Sequence, residues 1–420
     1  MSFLFLILTG FLLSRLGVRY GLIEQFFARG LGRRHDSITN FLLALMATTA
    51  VISMFIPNFI TALALLPILE NLRKHFEQQY APQLARRLTT AMVLAAIYGC
   101  NLGGMGSLIG SPANALMLGA LELYQAPGRE KINFLSWFGW SLPLTAILIG
   151  CAWVQLVYVI LPRAVRRARV ELAHSSSENR PQGIAGRAIL AIGIWLAFWS
   201  AHSILQISLP APEASLSLRG LKISWTHWDK IAAWFGMLYV LVLFTPLFTG
   251  SDRRREPILR FSDCFQQLPL RAFGVLLLAL AIGGVLIALQ APQWAATQVS
   301  QMLPLQATPF SLYFFMCFTT TLATEFFHNT AVTVAFFPVM HALAERLLLS
   351  PLLALMAVGL AATNAFMLPI STPVNALLYG GVKHVSLKTM AASGLLLDFI
   401  SALAMALFLA QVIPWYYGLP

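Results

Sequence analysis

The feature that most constrains this chain is the recurrence, from one end to the other, of apolar stretches able to cross about 30 Å of hydrocarbon, which takes roughly 20 helical residues. They fall near 2–18, 88–120, 133–161, 187–208, 228–248, 271–290, 351–379 and 391–413, with most of the charge held in short loops between them. Backbone N–H and C=O groups in lipid must be satisfied internally, so runs of this length select helices over open sheet or loop. Composition agrees: 58% of residues are apolar, only 10% are charged, and the mean hydropathy is +0.74, which excludes an ordinary soluble globule. The expectation is an all-α, multi-pass protein of the plasma membrane, the inner membrane in a bacterium, surrounded by lipid.

The opening run MSFLFLILTGFLLSRLG has neither a basic leader nor a small-residue cleavage site and reads as a retained helix. Cys100, Cys151, Cys264 and Cys317 lack CxxC spacing and imply no metal or disulfide framework. The +12 net charge would suggest nucleic acid in a soluble protein. Here the arginine clusters lie between spans, where they act as orientation signals, so no nucleic-acid partner is expected.

Two further apolar segments, 40–69 and 311–340, carry Asn58 and Asn329 near their middles. Segment 40–69 is awkward as one span, because Pro57 breaks it, but natural as a hairpin that enters and leaves on one side. Lysines and arginines test this. With both segments as same-side hairpins, one side of the membrane receives 21 basic residues and the other 6; with both as single crossings the split is 11 to 16. The strong bias favours hairpins. It places the first on the cytoplasmic side, the second on the external side and both termini outside, with eight full spans.

The same motif recurs. Asn58 and Pro67 match Asn329 and Pro338 at one spacing, and SPANAL at 111–116 matches TPVNAL at 372–377. The latter pair lies inside spans 88–120 and 351–379, which their Pro and Gly residues should interrupt. Hairpins opening to opposite faces make the repeats inverted, an architecture of secondary transporters. We expect a first repeat over 1–169, a Ser/Gln/Pro-rich linker at 170–186 and a second repeat over 187–420. The first repeat starts directly with residues 2–18, whereas spans 187–208 and 228–248 precede the corresponding helix of the second, so two helices are expected to be missing at the N-terminus.

Interrupted helices in a membrane leave free peptide groups. Inward-aimed N-termini offer N–H donors and partial positive charge to an anion, while unwound carbonyls and an Asn oxygen can ligate a cation. Asn58, Asn114, Asn329 and Asn375 stand at repeat-equivalent positions and are candidates for this chemistry. Trp137, Trp140, Trp415, Tyr416 and Tyr417 fall near span ends and read as interfacial anchors. Arg166 to Arg169 and Arg253 to Arg255 read as topogenic.

The blocks TEFFHNTAVTVAFFPVM (324–340) and AFMLPISTPVNALLYGG (365–381), with MFIPNFITALALLPIL and LGGMGSLIGSPANALMLGA in the first half, resemble the divalent anion/sodium symporter family of the ion transporter superfamily. GFLLSRLGVRYGL resembles the helix before them, and the family's first three helices have no counterpart here. The resemblance implies a non-enzymatic elevator-type symporter, usually a homodimer, that moves a dicarboxylate, tricarboxylate or sulfate with sodium and needs no organic cofactor. It implies Asn58, Asn329, Thr330 and Thr372 as substrate residues. Ser53 and Asn58, with backbone carbonyls around Gly106 to Gly110, would form one cation site; Thr324 and Asn329 would contribute to another.

Family tips carry Ser-Asn-Thr, whereas these read Pro57-Asn58-Phe59 and His328-Asn329-Thr330. The altered tips open two alternatives. His328 could couple protons instead of sodium, since its unperturbed pKa lies near 6.5. A non-transporting membrane protein or decayed paralogue is the other. Glu325 is expected to hydrogen-bond the hairpin or a helix end, and Asp398, ionisable within the last span, to be functional or paired. The intramembrane segments hold no HExxH, GxSxG or paired-carboxylate pattern of an enzyme.

Overall fold

The computed structural model describes residues 2–31, 37–166, 182–208, 215–218, 221–246, 257–265, 270–302 and 307–419. Helix α1 (Ser2–Arg19) turns by 70° into α2 (Leu22–Leu31). Gly21 makes the corner with φ +62°, a conformation open to glycine without a Cβ penalty. Ile23, Phe27 and Leu31 recur at helical spacing and are the buried stripe of α2.

Helix α3 (Ile38–Phe55) starts where the Ser37 hydroxyl accepts the Asn40 amide and stops at Ile56, which Pro57 holds extended. Helix α4 (Asn58–Gln79) follows, then α5 (Pro82–Met105) after a two-residue turn. Glycines on α5 let α3 approach backbone to backbone. A Cβ at Gly99 would lie 2.7 Å from the Met46 carbonyl oxygen, and one at Gly103 only 2.4 Å from that of Ala50. This order makes α3 and α5 parallel. Helix α4 begins beside Gly104, near the end of α5, and packs along α5, so it must run back. Residues 38–79 are therefore a re-entrant hairpin, longer than the 40–69 expected.

The first broken helix is α5, then an unwound stretch, then α6 (Pro112–Leu123), capped by the Ser111 hydroxyl. A capping box at Asn133 and Ser136 opens α7 (Phe134–Gln155). Helices α8 (Gln182–Ser208), α9 (Trp225–Phe244) and the short α10 (Phe261–Phe265) lead to α11 (Leu270–Ala288), which bends by 75° into α12 (Ala291–Met302). The second hairpin is α13 (Pro309–Phe326) and α14 (Asn329–Arg346); α15 (Pro351–Ala361), a break and α16 (Pro373–Gly381) form the second broken helix, and α17 (Leu387–Leu407) follows. Cys317 points its thiol at the Ala357 carbonyl and Thr321 its hydroxyl at that of Ala361. Helices α13 and α15 thus run parallel, as α3 and α5 do.

The repeats interlock. Helix α4 packs on α16, and α14 on α6. Leu66 fills the space over Gly381 and Met117 that over Gly359. The central helix α5 is 100% buried across its apolar window, shielded by both hairpin arms.

Among the described residues, five helical stretches are long and apolar enough to cross a membrane, Ile38–Phe55, Pro82–Met105, Phe134–Ile160, Gly186–Ser208 and Leu387–Tyr417, or seven if the bent pairs α1–α2 and α11–α12 each count as one span. The eight spans expected from the sequence correspond in position to α1, α5–α6, α7, α8, α9, α11, α15–α16 and α17. The all-α class holds, with one short antiparallel β-hairpin, β1 (Ser215–Leu218) with β2 (Leu221–Ser224), inserted between α8 and α9. Other expectations need correction. Most of the linker at 170–186 lies outside the described residues, and α8 already begins at Gln182. Arg167 to Arg169 and Arg253 to Arg255 also lie outside them, whereas Arg166 is described and donates to the Tyr158 and Leu161 carbonyls. Trp137, Trp140 and Tyr417 are buried rather than interfacial. Trp137 donates to the Met105 carbonyl at 2.9 Å, and Trp140 to the Tyr417 hydroxyl at 3.0 Å. Their polar atoms found internal partners, which removes the reason to sit at the headgroups. Trp415 remains exposed.

Candidate functional site

Each broken helix is held open by the asparagine of its own motif, and in the same way twice. The Asn114 Nδ2 donates to the carbonyls of Gly104 at 3.0 Å and Ser107 at 2.7 Å. The Asn375 Nδ2 donates to those of Ala365 and Leu368, both at 3.0 Å. In each repeat these acceptors stand ten and seven residues before the asparagine. Unwinding frees carbonyls that cannot remain bare in a dry interior, and the side-chain amide replaces their lost helical donors. Asn114 and Asn375 therefore brace the breaks.

A second brace crosses between repeats. Asn101, on α5, donates to the Ala365 carbonyl at 3.0 Å and to the Asn375 Oδ1 at 3.1 Å. Nothing in its sequence surroundings marked Asn101, because its partners come from the other half of the chain.

The hairpin asparagines are placed differently. In Asn58 and Asn329, as in Asn114, the side-chain oxygen is buried and accepts no hydrogen bond within the protein. The Ser53 hydroxyl is buried as well, with the weakly hydrogen-bonding Cys100 thiol as its side-chain neighbour. Unsatisfied buried polar atoms cost about 1–3 kcal/mol each, so a cluster of them at a helix break points to a ligand. Asn58 lies against Gly104: a Cβ there would come within 2.6 Å of Nδ2 and 2.9 Å of Oδ1. Around it gather the unwound residues. The Gly106 carbonyl accepts from Ser141 at 2.9 Å, the Ser107 hydroxyl donates to the Met54 carbonyl, and Gly110 closes on the carbonyls of Ser53 and Gly104. Ser53, Asn58, Gly106 and Gly110 are thus brought together at the first tip.

At the second tip, Thr324 is fully buried and donates its hydroxyl to the Thr321 carbonyl at 2.7 Å, leaving oxygen lone pairs free to accept. Thr330 follows Asn329 in the first turn of α14, where its amide donates to the His328 Nδ1 at 3.3 Å. That contact makes His328 a helix cap and fixes its Nδ1 as an unprotonated acceptor. Pro57, its counterpart, provides no side-chain cap. The Thr372 hydroxyl accepts the Asn375 amide at 3.0 Å and donates to the Asn375 Oδ1 at 2.9 Å, so it is engaged in capping α16.

Glu325 is buried at the end of α13, and its two oxygens accept the amides of Met367 and Leu368, each at 2.8 Å. It fastens the hairpin to the break, the structural use expected of it. Asp398 faces the Glu325 carboxylate and the Phe366 amide. It is 1% exposed, with no well-formed donor on either oxygen. Gly394, one turn earlier on α17, makes that approach possible, since a Cβ would stand 2.4 Å from the Phe366 and Met367 backbone. In the first repeat the link between hairpin and break runs instead from the Ser107 hydroxyl to the Met54 carbonyl.

Among the described residues no group of three His, Cys, Asp or Glu side chains could hold a metal ion. A cation at these tips would meet neutral oxygens, a donor set suited to a hard monovalent ion.

This arrangement, paired hairpin tips facing breaks braced by matching asparagines, is accompanied by sequence similarity. The profile described as citrate transporter matches residues 1–252 and 223–418. The chain belongs to the citrate transporter family. It is 25% identical over 425 residues to the sodium-dependent dicarboxylate transporter SdcS of Staphylococcus saprophyticus, covering 99% of this chain and 77% of that one. It is also 25% identical over 433 residues, with the same coverage, to SdcS of Staphylococcus aureus strain NCTC 8325. Among solved structures, the Alcanivorax borkumensis YdaH transporter matches with a TM-score of 0.57 at 15% identity, over 98% of this chain and 85% of that chain, a likeness of fold. The citrate transporter family member described here is a membrane transporter and not an enzyme, and the expected kinship with the divalent anion/sodium symporters is borne out.

Proposed function

We propose that this transporter carries a small dicarboxylate coupled to sodium, with substrate and cation sharing the site between the hairpin tips. The observation that carries this reading is the orphaned oxygen on each hairpin asparagine, Asn58 and Asn329, with the Ser53 hydroxyl beside the first. A sodium ion would satisfy the oxygens, and the asparagine Nδ2 groups and first-turn amides of α4 and α14 would meet carboxylates. Thr330 and Thr372 would contribute to the substrate site, and Thr324 with Asn329 to a second cation site. The sodium-dependent dicarboxylate transport named for the SdcS relatives supports the same pairing of ligands. Tricarboxylate and sulfate are the competing anions.

Coupling follows if substrate and sodium together bind one orientation of the moving body more tightly than the other, each supplying part of the other's site. His328 is assigned a capping role here. Protonating its Nδ1 would turn a donor toward the Thr330 amide, so a proton there works against the tip. Movement as an elevator, and a homodimer around a fixed scaffold, complete the proposal.

Purified protein in proteoliposomes, offered succinate, malate, citrate or sulfate under an inward sodium gradient or a proton gradient, tests it. Uptake of the dicarboxylates with sodium alone is the expected result. Uptake that ignores sodium and collapses with the proton gradient transfers the coupling to another group, and uptake of sulfate alone overturns the substrate class.

A further inference from the structure

A second polar cavity lies well away from the hairpin tips, where α5 and α17 begin. Its walls are Gln83, Arg86, Arg87 and Thr90 of α5, Ile160 at the end of the α7 span, and Ser386 and Thr389 at the start of α17. The polar groups are organised. Thr90 accepts the Ser386 amide at 3.1 Å, which ties the two helix starts together. Ser386 caps α17, accepting the Thr389 amide at 3.3 Å and the Thr389 hydroxyl at 3.0 Å. That leaves the amides of Leu387 and Lys388, in the first turn, without intrahelical partners.

Three arginines elsewhere in the protein are committed to carboxylates. Arg19 is paired with Asp263, Arg73 with Glu70 and Glu77, and Arg129 with Glu122. Neither Arg86 nor Arg87 has an acidic partner or a side-chain hydrogen bond among the described residues, and no carboxylate lines the cavity. Two exposed guanidinium groups, three hydroxyls and a helix N-terminus line one cavity with no anion from the protein itself. The Thr90 hydroxyl donates to the Arg86 carbonyl and that of Thr389 to Ser386, which leaves the arginines, the Ser386 proton and the first-turn amides to meet a ligand. Guanidinium forks and hydroxyls are matched to tetrahedral oxyanions, a phosphate group above all.

Position in the membrane selects the source. The continuous apolar part of α5 begins at Ala91, one turn beyond the arginines, and that of α17 at Met390, just after Thr389, with only Leu84, Ala85, Leu88 and Leu387 as apolar residues before them. The cavity therefore lies where two helices enter hydrocarbon, the level at which phospholipid phosphates reside. It is also on the side that the lysine and arginine distribution marks as cytoplasmic. Ile160 supplies an apolar wall toward the acyl region.

We propose that this cavity is a phosphate-group site occupied by the headgroup of an anionic membrane phospholipid. Bound there, the lipid bridges the first broken helix and the last helix, which otherwise meet at this end through the Thr90 and Ser386 contact.

Native mass spectrometry of the full-length purified protein, titrated with phosphatidylglycerol or phosphatidylcholine of the same acyl chains, tests this. The expected result is at least a tenfold preference for phosphatidylglycerol, lost in the Arg86→Ala/Arg87→Ala double variant and kept in Arg163→Ala, a nearby basic control. Inorganic phosphate at millimolar concentration should leave the adduct in place. Equal binding of both lipids, or an undiminished preference in the double variant, overturns the site. Displacement by inorganic phosphate, with phosphate alone giving equal thermal stabilisation, overturns the lipid assignment in favour of a soluble anion. A double variant that elutes as folded protein but has lost the preference cannot be ascribed to misfolding. Dicarboxylate uptake is not among these readouts, so the tip site and this cavity stand or fall separately.

Discussion

Replacing either brace asparagine by alanine separates the two breaks energetically. Asn375→Ala removes donation to Ala365, Leu368 and Ser371, together with acceptance from Asn101 and Thr372. Asn114→Ala removes only donation to Gly104 and Ser107, and its Oδ1, which has no partner, loses nothing. At a net ~1 kcal/mol per buried hydrogen bond, the Asn114 variant should lose about 2 kcal/mol. The Asn375 variant has five bonds to lose, but its two N–H groups are shared among three acceptors. The Ala365 carbonyl keeps Asn101 and the Leu368 carbonyl keeps Ser371. These retained donors reduce the cost to about 3–4 kcal/mol. Detergent-solubilised protein heated in steps and examined by size-exclusion chromatography gives the temperature at which half remains monodisperse. Wild type should be highest, Asn114→Ala lower and Asn375→Ala lowest, with Asn101→Ala combined with Asn375→Ala adding less than its separate effect because they share a bond. An Asn375 variant as stable as wild type, or an Asn114 variant less stable than the Asn375 one, would refute the bracing argument.

Other perturbations follow from close contacts and charge. Gly104→Ala would push a methyl to 2.6 Å from the Asn58 Nδ2; the protein should fold, because a side chain can yield, but apparent affinity for dicarboxylate should fall at least tenfold in uptake assays. Gly394→Ala meets only backbone, at 2.4 Å from Phe366 and Met367, and should sharply reduce recovery of monodisperse protein, which expression with a fluorescent fusion would report. Beyond the apolar part of the first hairpin, the Arg73 guanidinium holds the Glu70 carboxyl below its ordinary range, over a bidentate contact of 2.7 and 2.8 Å. A depressed carboxyl stabilises the fold above its unfolded pKa and loses that contribution as pH falls through the folded one. Glu70→Gln should therefore cost about 1 kcal/mol at neutral pH and nothing in acid below the folded value, measured as the difference in thermal midpoint across a pH series.

The architecture was legible because lipid leaves few choices. Span length, Pro57 and the distribution of basic residues identified the re-entrant segments, and the second copy of the motif made the inversion visible. What escaped prediction depended on partners distant in sequence. The bend between α11 and α12 lies at Gln290, whose positive φ has no glycine to announce it, although Pro292 marks the start of α12. Trp137 and Trp140 carry interfacial residue types, yet their N–H groups are satisfied inside by Met105 and Tyr417. The four asparagines looked equivalent in sequence. Their amide groups divide them: the Nδ2 groups of Asn114 and Asn375 donate to carbonyls freed by unwinding, whereas Asn58 and Asn329, whose oxygens like that of Asn114 have nothing to accept, stand at the hairpin tips. Repetition marks a position as constrained without saying whether the constraint is a brace or a ligand.

The claim that the two hairpin tips form the transport site is tested most directly by equilibrium binding of radioactive sodium to purified protein, with and without saturating succinate. The account predicts sodium binding that tightens with succinate, is lost in Asn58→Ala and Asn329→Ala, and persists in Arg86→Ala/Arg87→Ala. Sodium binding unchanged in both asparagine variants, in protein that remains monodisperse, would contradict it.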